Sequence, residues 1–494
     1  MIVRRLTAAA LVALLGAGLQ PAAGASVRPA PLDVPPPPVA TPRATPPVPA
    51  HPGLDDLLTR LQRFPQTRPR GSVGLAVTAG DGSMVAARRA RRPMLPASTT
   101  KLVTAAAGLR ILGADHRFVT RVYATRAPDA SGVVDGDLVL VGGGDPVLST
   151  PTYRRRVNMT RPATPLRRLA VRTARGGVTR VTGRVLADGS VLADQPLAAG
   201  WRDTYLTSLD TTRSSGLTVD AGLRLFRRRE RLRGAPAADP ARRTAHELDR
   251  LLHGRGVRVT GAPGVGRLPP GAVEVARISS PQLSELLAHT LRFSDNHLAD
   301  SIFRMLGAAV GDPTWRGSAD AARAALADVD LAWRGLRLAD GSGLSRRNRL
   351  SAEALVGLLA AMADGPLRRP WLRLLPVAGR TGTVAGRLTG TQAVGRVHAK
   401  TGTLRDVRAL AATVPGRGGH DHHIAVLAND VPTYDDAAAA RRLADVLAIA
   451  VVAAEYGCRG PVRVREGTDR RAPEHGICGA PGRRTRAAQS SHGP

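Results

Sequence analysis

The chain has 494 residues, which at roughly 150 residues per domain suggests about three domains, and 43% of them are hydrophobic, enough to bury a sizeable core. Only 3% are aromatic, which argues against stacking platforms for single-stranded nucleic acid, and the two cysteines exclude a disulfide scaffold or a multi-cysteine zinc site. The net charge of +32 favours a polyanionic surface as partner, an anionic cell-wall polymer or membrane among them, although a general bias toward arginine gives the same number.

In chain order, the basic stub MIVRR precedes a short apolar run and the small-residue site Ala23-Gly24-Ala25. That is the pattern of a secretory signal peptide over residues 1–25; the apolar run is too short for a membrane anchor. Residues 26–53 are Pro-rich and read as an extended tether. Globular sequence begins near Leu54. Gly74-Leu-Ala-Val-Thr and the turn Ala79-Gly-Asp-Gly-Ser read as strand, turn and strand, and Leu102 to Leu112 as a helix stopped by Gly113. From about Phe118 to Val275 short strands alternate with Gly-rich turns. Pro281 to Leu306 reads as a long amphipathic helical region, helix-like from Ser284 to Arg292; Ile424-Ala-Val-Leu reads as a strand and Asp435 to Ala454 as a helix. Residues 457–494 read as a disordered tail; an exported chain could join Cys458 to Cys478 within it. His420-Asp-His-His reads as a solvated loop, since no matching ligand spacing accompanies it. The expected organisation is an α/β unit over 54–120 and 276–456, interrupted by a large inserted mixed, β-rich region over 121–275.

The basic residues carry a second signal: of 71, only Lys101 and Lys400 are lysine. Arginine stays charged, whereas burial can turn a lysine into a base. Lys101 follows Ser98 by three positions, the spacing that puts two side chains on one helix face. A lysine there could activate the hydroxyl as a nucleophile, or Ser98 could simply cap a helix. Lys400 opens Lys-Thr-Gly-Thr on a run that reads as an edge strand. Lys400 and Thr401 could hold a substrate carboxylate, Gly402 would allow close approach and the Thr403 N–H could face an oxyanion; an ordinary turn is the plain alternative. Between the two lies Ser294-Asp295-Asn296, either a helix cap or a hydroxyl and an amide for proton relay and substrate orientation.

The ordered set Ser-x-x-Lys, Ser-x-Asn and Lys-Thr-Gly resembles that of penicillin-binding proteins and serine β-lactamases. About 196 residues separate Ser98 from Ser294, far more than a class A β-lactamase accommodates. With Gly142-Gly-Gly-Asp-Pro-Val-Leu, Gly183-Arg-Val-Leu-Ala-Asp-Gly-Ser, Asp340-Gly-Ser-Gly-Leu-Ser-Arg and Gly379-Arg-Thr-Gly-Thr, the chain from about 54 to 455 resembles the class C low-molecular-mass penicillin-binding proteins, the D-alanyl-D-alanine carboxypeptidase/endopeptidase family S13.

The resemblance implies a transpeptidase-like fold with an insertion. It makes Ser98 the acyl-forming nucleophile, Lys101 its base, and Ser294 and Asn296 the relay and orienting amide. Lys400 and Thr401 become the carboxylate anchor, and the N–H groups of Ser98 and Thr403 the oxyanion hole. In the insertion it puts Asp188 near the amine of a diaminopimelate stem residue, and it makes Arg346 a candidate carboxylate contact. It implies no metal or cofactor, an extracytoplasmic place of action, peptidoglycan stem peptides as substrate and β-lactams as covalent inhibitors. A non-catalytic envelope-binding protein and a β-lactamase are the alternatives. One departure stands out: Arg405-Asp-Val-Arg puts two arginines beside the substrate strand.

Overall fold

The computed structural model describes residues 69–156, 161–228, 231–329, 331 and 333–457, with the backbone of 463–465 and 474–476. The expected signal peptide, the tether and both cysteines lie outside the described residues. Within the expected tail, Arg463–Arg465 pairs antiparallel with Glu474–Gly476, so this part is a short ribbon rather than irregular chain.

In chain order the elements that build the site are β1 (Ser72–Thr78), β2 (Met84–Arg88), α1 (Thr100–Ile111), β3 (Val119–Ala124), β4 (Leu138–Val141), α2 (Leu166–Arg175), β5 (Val185–Asp188), α3 (Pro240–His253), β6 (Gly264–Val265) and β7 (Val273–Ser279). There follow α4 (Leu283–Phe293), α5 (Asn296–Ala309), α6 (Ala352–Ala363), β8 (His398–Leu404), β9 (Val407–Val414), β10 (His422–Asn429) and α7 (Tyr434–Tyr456).

The first sheet has the order β8-β9-β10-β1-β2 and is antiparallel throughout. Its central contact joins the two ends of the fold, with Ser72 opposite Asn429 and Thr78 opposite His423. Strand β10 is buried at every position, as a strand covered on both faces must be. On one face α7 packs Leu447 and Val451 against Ile424, Val426 and Leu410. On the other, α1 and α6 share a core with Ala425, Leu427 and Ala411. Helix α1 is buried from Thr100 to Leu109, which explains why its sequence shows no polar face: it runs through the middle of the core. Gly108 lets Ile302, Leu283 and Leu287 close on it.

Residues 119–279 supply a second five-stranded sheet, order β6-β5-β4-β3-β7. It is mixed: β6, β5 and β4 are parallel, while β3 and β7 run antiparallel to their neighbours. Helices α2 and α3 supply Leu166, Leu169, Leu248 and Leu252 to its own apolar core.

Two local expectations need correction. The helical region Pro281–Leu306 is two helices, broken where Ser294 takes a left-handed conformation (φ 58°, ψ 37°) and Asp295 caps α5 by accepting from the Leu298 N–H at 3.0 Å. His422 and His423 are not in a solvated loop; they begin β10 and are buried. Tertiary partners make that tolerable: His422 Nε2 meets Glu455 at 2.9 Å, and the His423 ring lies 3.1 Å from the Thr413 hydroxyl.

Candidate active site

Ser98 sits in the 3-10 turn Ala97–Thr99 that leads into α1. The turn is tight: Ala97 has φ +49°, and the Thr99 hydroxyl and N–H both donate to the Pro96 carbonyl. Such left-handed non-glycine residues are uncommon and are held only when the surroundings over-determine them. Here Gly343 packs so close that a Cβ on it would lie 1.9 Å from the Ala97 carbonyl oxygen. Ser98 is half-buried, while Lys101, one turn on, is fully buried.

Lys101 Nζ donates to Ser98 Oγ at 3.0 Å, to Asn296 Oδ1 at 2.7 Å and to the Ser342 carbonyl at 2.7 Å. Burial pushes its pKa down to about 8, against the opposing pull of Asp300, Asp340 and Asp295. These carboxylates have structural duties too. Asp300 Oδ1 accepts the N–H groups of Gly341 and Ser342, and Asp340 accepts those of Gly343 and Ser345. They therefore fix the loop whose carbonyl orients the lysine. Burial, with Asp340 alongside, raises the Asp300 carboxyl well above the usual range.

The break between α4 and α5 delivers the second motif. The left-handed Ser294 turns its hydroxyl toward Lys400, whose Nζ donates to it at 3.0 Å and to the Thr401 carbonyl at 2.7 Å. Asn296, first residue of α5, gives its oxygen to Lys101 and its Nδ2 to the Asp210 carbonyl at 2.8 Å. Asp295 is half-buried beneath. Burial works to raise its carboxyl, but the Arg161 guanidinium 3.4 Å away, His297, the Leu298 N–H and His289 outweigh it and hold the carboxyl low. Arg161 also reaches His297 Nδ1 at 3.1 Å and the Tyr153 hydroxyl at 3.1 Å.

The third motif lies on β8, which is an edge strand as its sequence suggests. Alternation sends Ala399 into the core under α7 and Lys400 to the opposite face, where it is completely buried. Burial, then repulsion from Lys101, pushes the Lys400 ammonium well below its ordinary value. Gly402 faces the Ser98 turn; a Cβ there would meet the Pro96 carbonyl oxygen at 2.8 Å and Ala97 Cβ at 3.2 Å. The Thr401 hydroxyl donates to Thr383 Oγ1 at 2.8 Å.

Ser98, Lys101, Ser294, Asn296, Lys400, Thr401 and Thr403 are thus gathered where α1, α5 and β8 meet. Asp188 and Arg346 are differently occupied. Asp188 is buried, and its two carboxyl oxygens accept the Ser190 and Leu268 N–H groups, so it offers little surface to a substrate amine. Arg346 is locked in a bidentate pair with Asp406, both bonds 2.8 Å, on the turn between β8 and β9. Among the described residues no group of three His, Cys, Asp or Glu could hold a metal ion.

The sequence profile of the D-Ala-D-Ala carboxypeptidase 3 (S13) family matches residues 56–238 and 228–451. The chain belongs to this family. It is 31% identical to the D-alanyl-D-alanine carboxypeptidase of Actinomadura sp. (strain R39) over 418 residues, 70% of this chain and 75% of that one. It is 32% identical to the carboxypeptidase DacB of Mycolicibacterium smegmatis over 413 residues, 80% and 85% of the two chains. Among solved structures it superposes on penicillin-binding protein 4 of Haemophilus influenzae with a TM-score of 0.66 at 22% identity, covering 79% of this chain and 98% of that one. The mixed α/β fold is therefore of the penicillin-binding type, and the S13 member is a serine hydrolase, a peptidoglycan D,D-peptidase.

Asp300, Arg161 and Asp210 were not singled out by the sequence; Asp340, Ser342 and Thr383 lie in stretches quoted for the family resemblance but were given no role. Asp300 had a local signal: it lies four residues after Asn296 on one helix, the spacing that shares a face.

Proposed function

We propose that this S13 enzyme is exported and cleaves D-Ala-D-Ala termini and D-Ala–diaminopimelate cross-links of peptidoglycan through an acyl-enzyme on Ser98, and that β-lactams acylate the same serine. The observation that carries this reading is the buried Lys101 amine 3.0 Å from Ser98 Oγ. A lysine whose pKa falls to about 8 has a neutral fraction at working pH, and the neutral amine can take the hydroxyl proton as Oγ attacks the penultimate D-Ala carbonyl. The oxyanion would accept from the N–H groups of Ser98 and Thr403.

Collapse breaks the C–N bond. The leaving amine needs one proton, and Lys400 and Ser294 form the donor pair that can supply it, the pool being refilled by the proton on Lys101. Thr401 and Lys400 would hold the carboxylate of the leaving residue. Water then adds to the ester with Lys101 again as base, restoring Ser98. Asn296, fixed from both ends by Lys101 and Asp210, would orient the peptide amide. Hydrolysis of a pentapeptide ending in D-Ala-D-Ala tests the reading: the wild type should release D-alanine and Ser98→Ala should release none. Equal release from both would overturn it, and no release by folded wild type would favour a binding protein.

Gly402→Val is expected to slow acylation by about 10²-fold, the scale of a misplacement near 1 Å, because the side chain drives β8 away from Pro96 and Ala97. Stopped-flow acylation by a penicillin, with circular dichroism to verify folding, measures it. Asp406→Ala should release the Arg346 fork for a stem-peptide carboxylate and lower KM for such a peptide about threefold, since freeing a half-exposed charge is worth under about 1 kcal/mol. An unchanged KM would remove Arg346 from the substrate contacts.

A further inference from the structure

A cleft of about 370 Å³ opens beside β8. Thr383, Thr401 and Thr403 line its near wall, so it begins where the carboxylate of the leaving residue would be anchored. Arg387, Arg408 and Arg441 line it as well, with Asp445 as the sole carboxylate. The charges do not balance. Asp445 is taken by Arg387 at 2.6 Å. Arg408 folds back and spends Nη1 on the Leu404 and Val407 carbonyls at 2.7 and 2.8 Å, leaving a buried Nε without a partner. Arg441 is exposed on α7; its charge reaches Asp445, but among the described residues no carboxylate lies within salt-bridge distance of it. Burial, and then Arg441, lowers the pKa of Arg408, and both residues line the cleft. Guanidinium groups gathered this way match a carboxylate in charge and in geometry.

We propose that this cleft is a second subsite, which binds a carboxylate on the leaving strand of a cross-linked substrate between Arg408 and Arg441. The inference rests on the D,D-peptidase reading and deepens it. When a terminal D-alanine leaves, its one carboxylate is held by Thr401 and Lys400 and no chain continues beyond it. When a cross-link is cut, the leaving residue is a diaminopimelate whose peptide goes on, carrying further carboxylates. The cleft begins at Thr401 and is positive beyond it, so it adds affinity only for the second substrate. It therefore tilts the enzyme toward endopeptidase action.

The test uses the full chain, with kcat and KM measured on a pentapeptide ending in D-Ala-D-Ala and on a cross-linked stem-peptide dimer. Arg441→Gln should raise KM for the dimer about tenfold, a single charge-assisted contact. It should leave kcat, pentapeptide hydrolysis and penicillin acylation within twofold, and Arg441→Lys should retain most of the dimer affinity. Arg408→Gln should act in the same direction, and raised salt should shrink the dimer's advantage in the wild type. An equal loss on both substrates, or none on either, overturns the subsite. A wild type inert to both peptides and to penicillin overturns the peptidase reading, and the subsite with it.

Discussion

Lys101→Met is expected to slow acylation of Ser98 by about 10³-fold, within the range that loss of a positioned general base costs. Methionine fills similar space but cannot accept the proton, and the hydroxyl loses its 3.0 Å partner. The wild-type rate should follow the neutral fraction of Lys101. Below a pKa of about 8 that fraction grows nearly tenfold per pH unit, so the rate should climb with pH and level off above about 8. The cause is burial, which here exceeds the combined pull of Asp300, Asp340 and Asp295. The Met variant should show a low rate with no such climb. Rapid-mixing acylation by a reporter penicillin from pH 6 to 9.5 measures both profiles, and a wild-type rate that is flat across that range would remove Lys101 as the base.

Arg161→Met is expected to destabilise the fold by about 3–5 kcal/mol, the cost of leaving one member of a buried pair alone. Arg161 is buried, and it sits against both Asp295 and His297. Burial and this guanidinium together push the His297 pKa down to about 3, so in the wild type the ring is neutral and Arg161 is the charged partner of Asp295. The pH dependence has a definite sign. In the wild type the Asp295 carboxyl is held below its ordinary value, so it stabilises the fold above the unfolded pKa near 3.9 and loses that contribution as the solution becomes more acidic. Without Arg161, burial dominates and raises the carboxyl, so the variant's deficit should be larger at pH 7 than at pH 4.5. Thermal unfolding at the two pH values measures it. Acylation should fall as well, because Asp295 caps the helix that carries Asn296. A deficit independent of pH would contradict the assignment of Asp295 as the group that Arg161 neutralises.

The site was more legible than the framework that tunes it. Lys101 and Lys400 stand out by the scarcity of lysine, while the Ser98–Lys101 spacing alone leaves a helix cap open and gains meaning only from the three motifs in order; the edge-strand reading of Lys-Thr-Gly followed from local pattern. The polar triplet at Ser294 offers a helix cap in sequence, and Asp295 does cap α5; the left-handed turn of Ser294 was not legible, because apolar positions continue at helical spacing from α4 into α5. Arg161 and Asp210 reach the second motif from sequence positions 134 and 86 residues before their partners, a proximity that no periodicity encodes. His422 and His423 look like loop residues in sequence and become strand residues through Glu455 and Thr413. Arg346 shows the same limit. Its availability is set by Asp406, across a turn created only when β8 and β9 pair.

If Ser98 is the acylating serine, a penicillin must leave its mark there. The measurement that tests it most directly is intact-protein and peptide mass spectrometry after incubation with penicillin G. One penicilloyl adduct per chain is expected, on the peptide containing Ser98, and no adduct on folded Ser98→Ala. An adduct that survives the substitution, or a folded wild type that takes none, would contradict it.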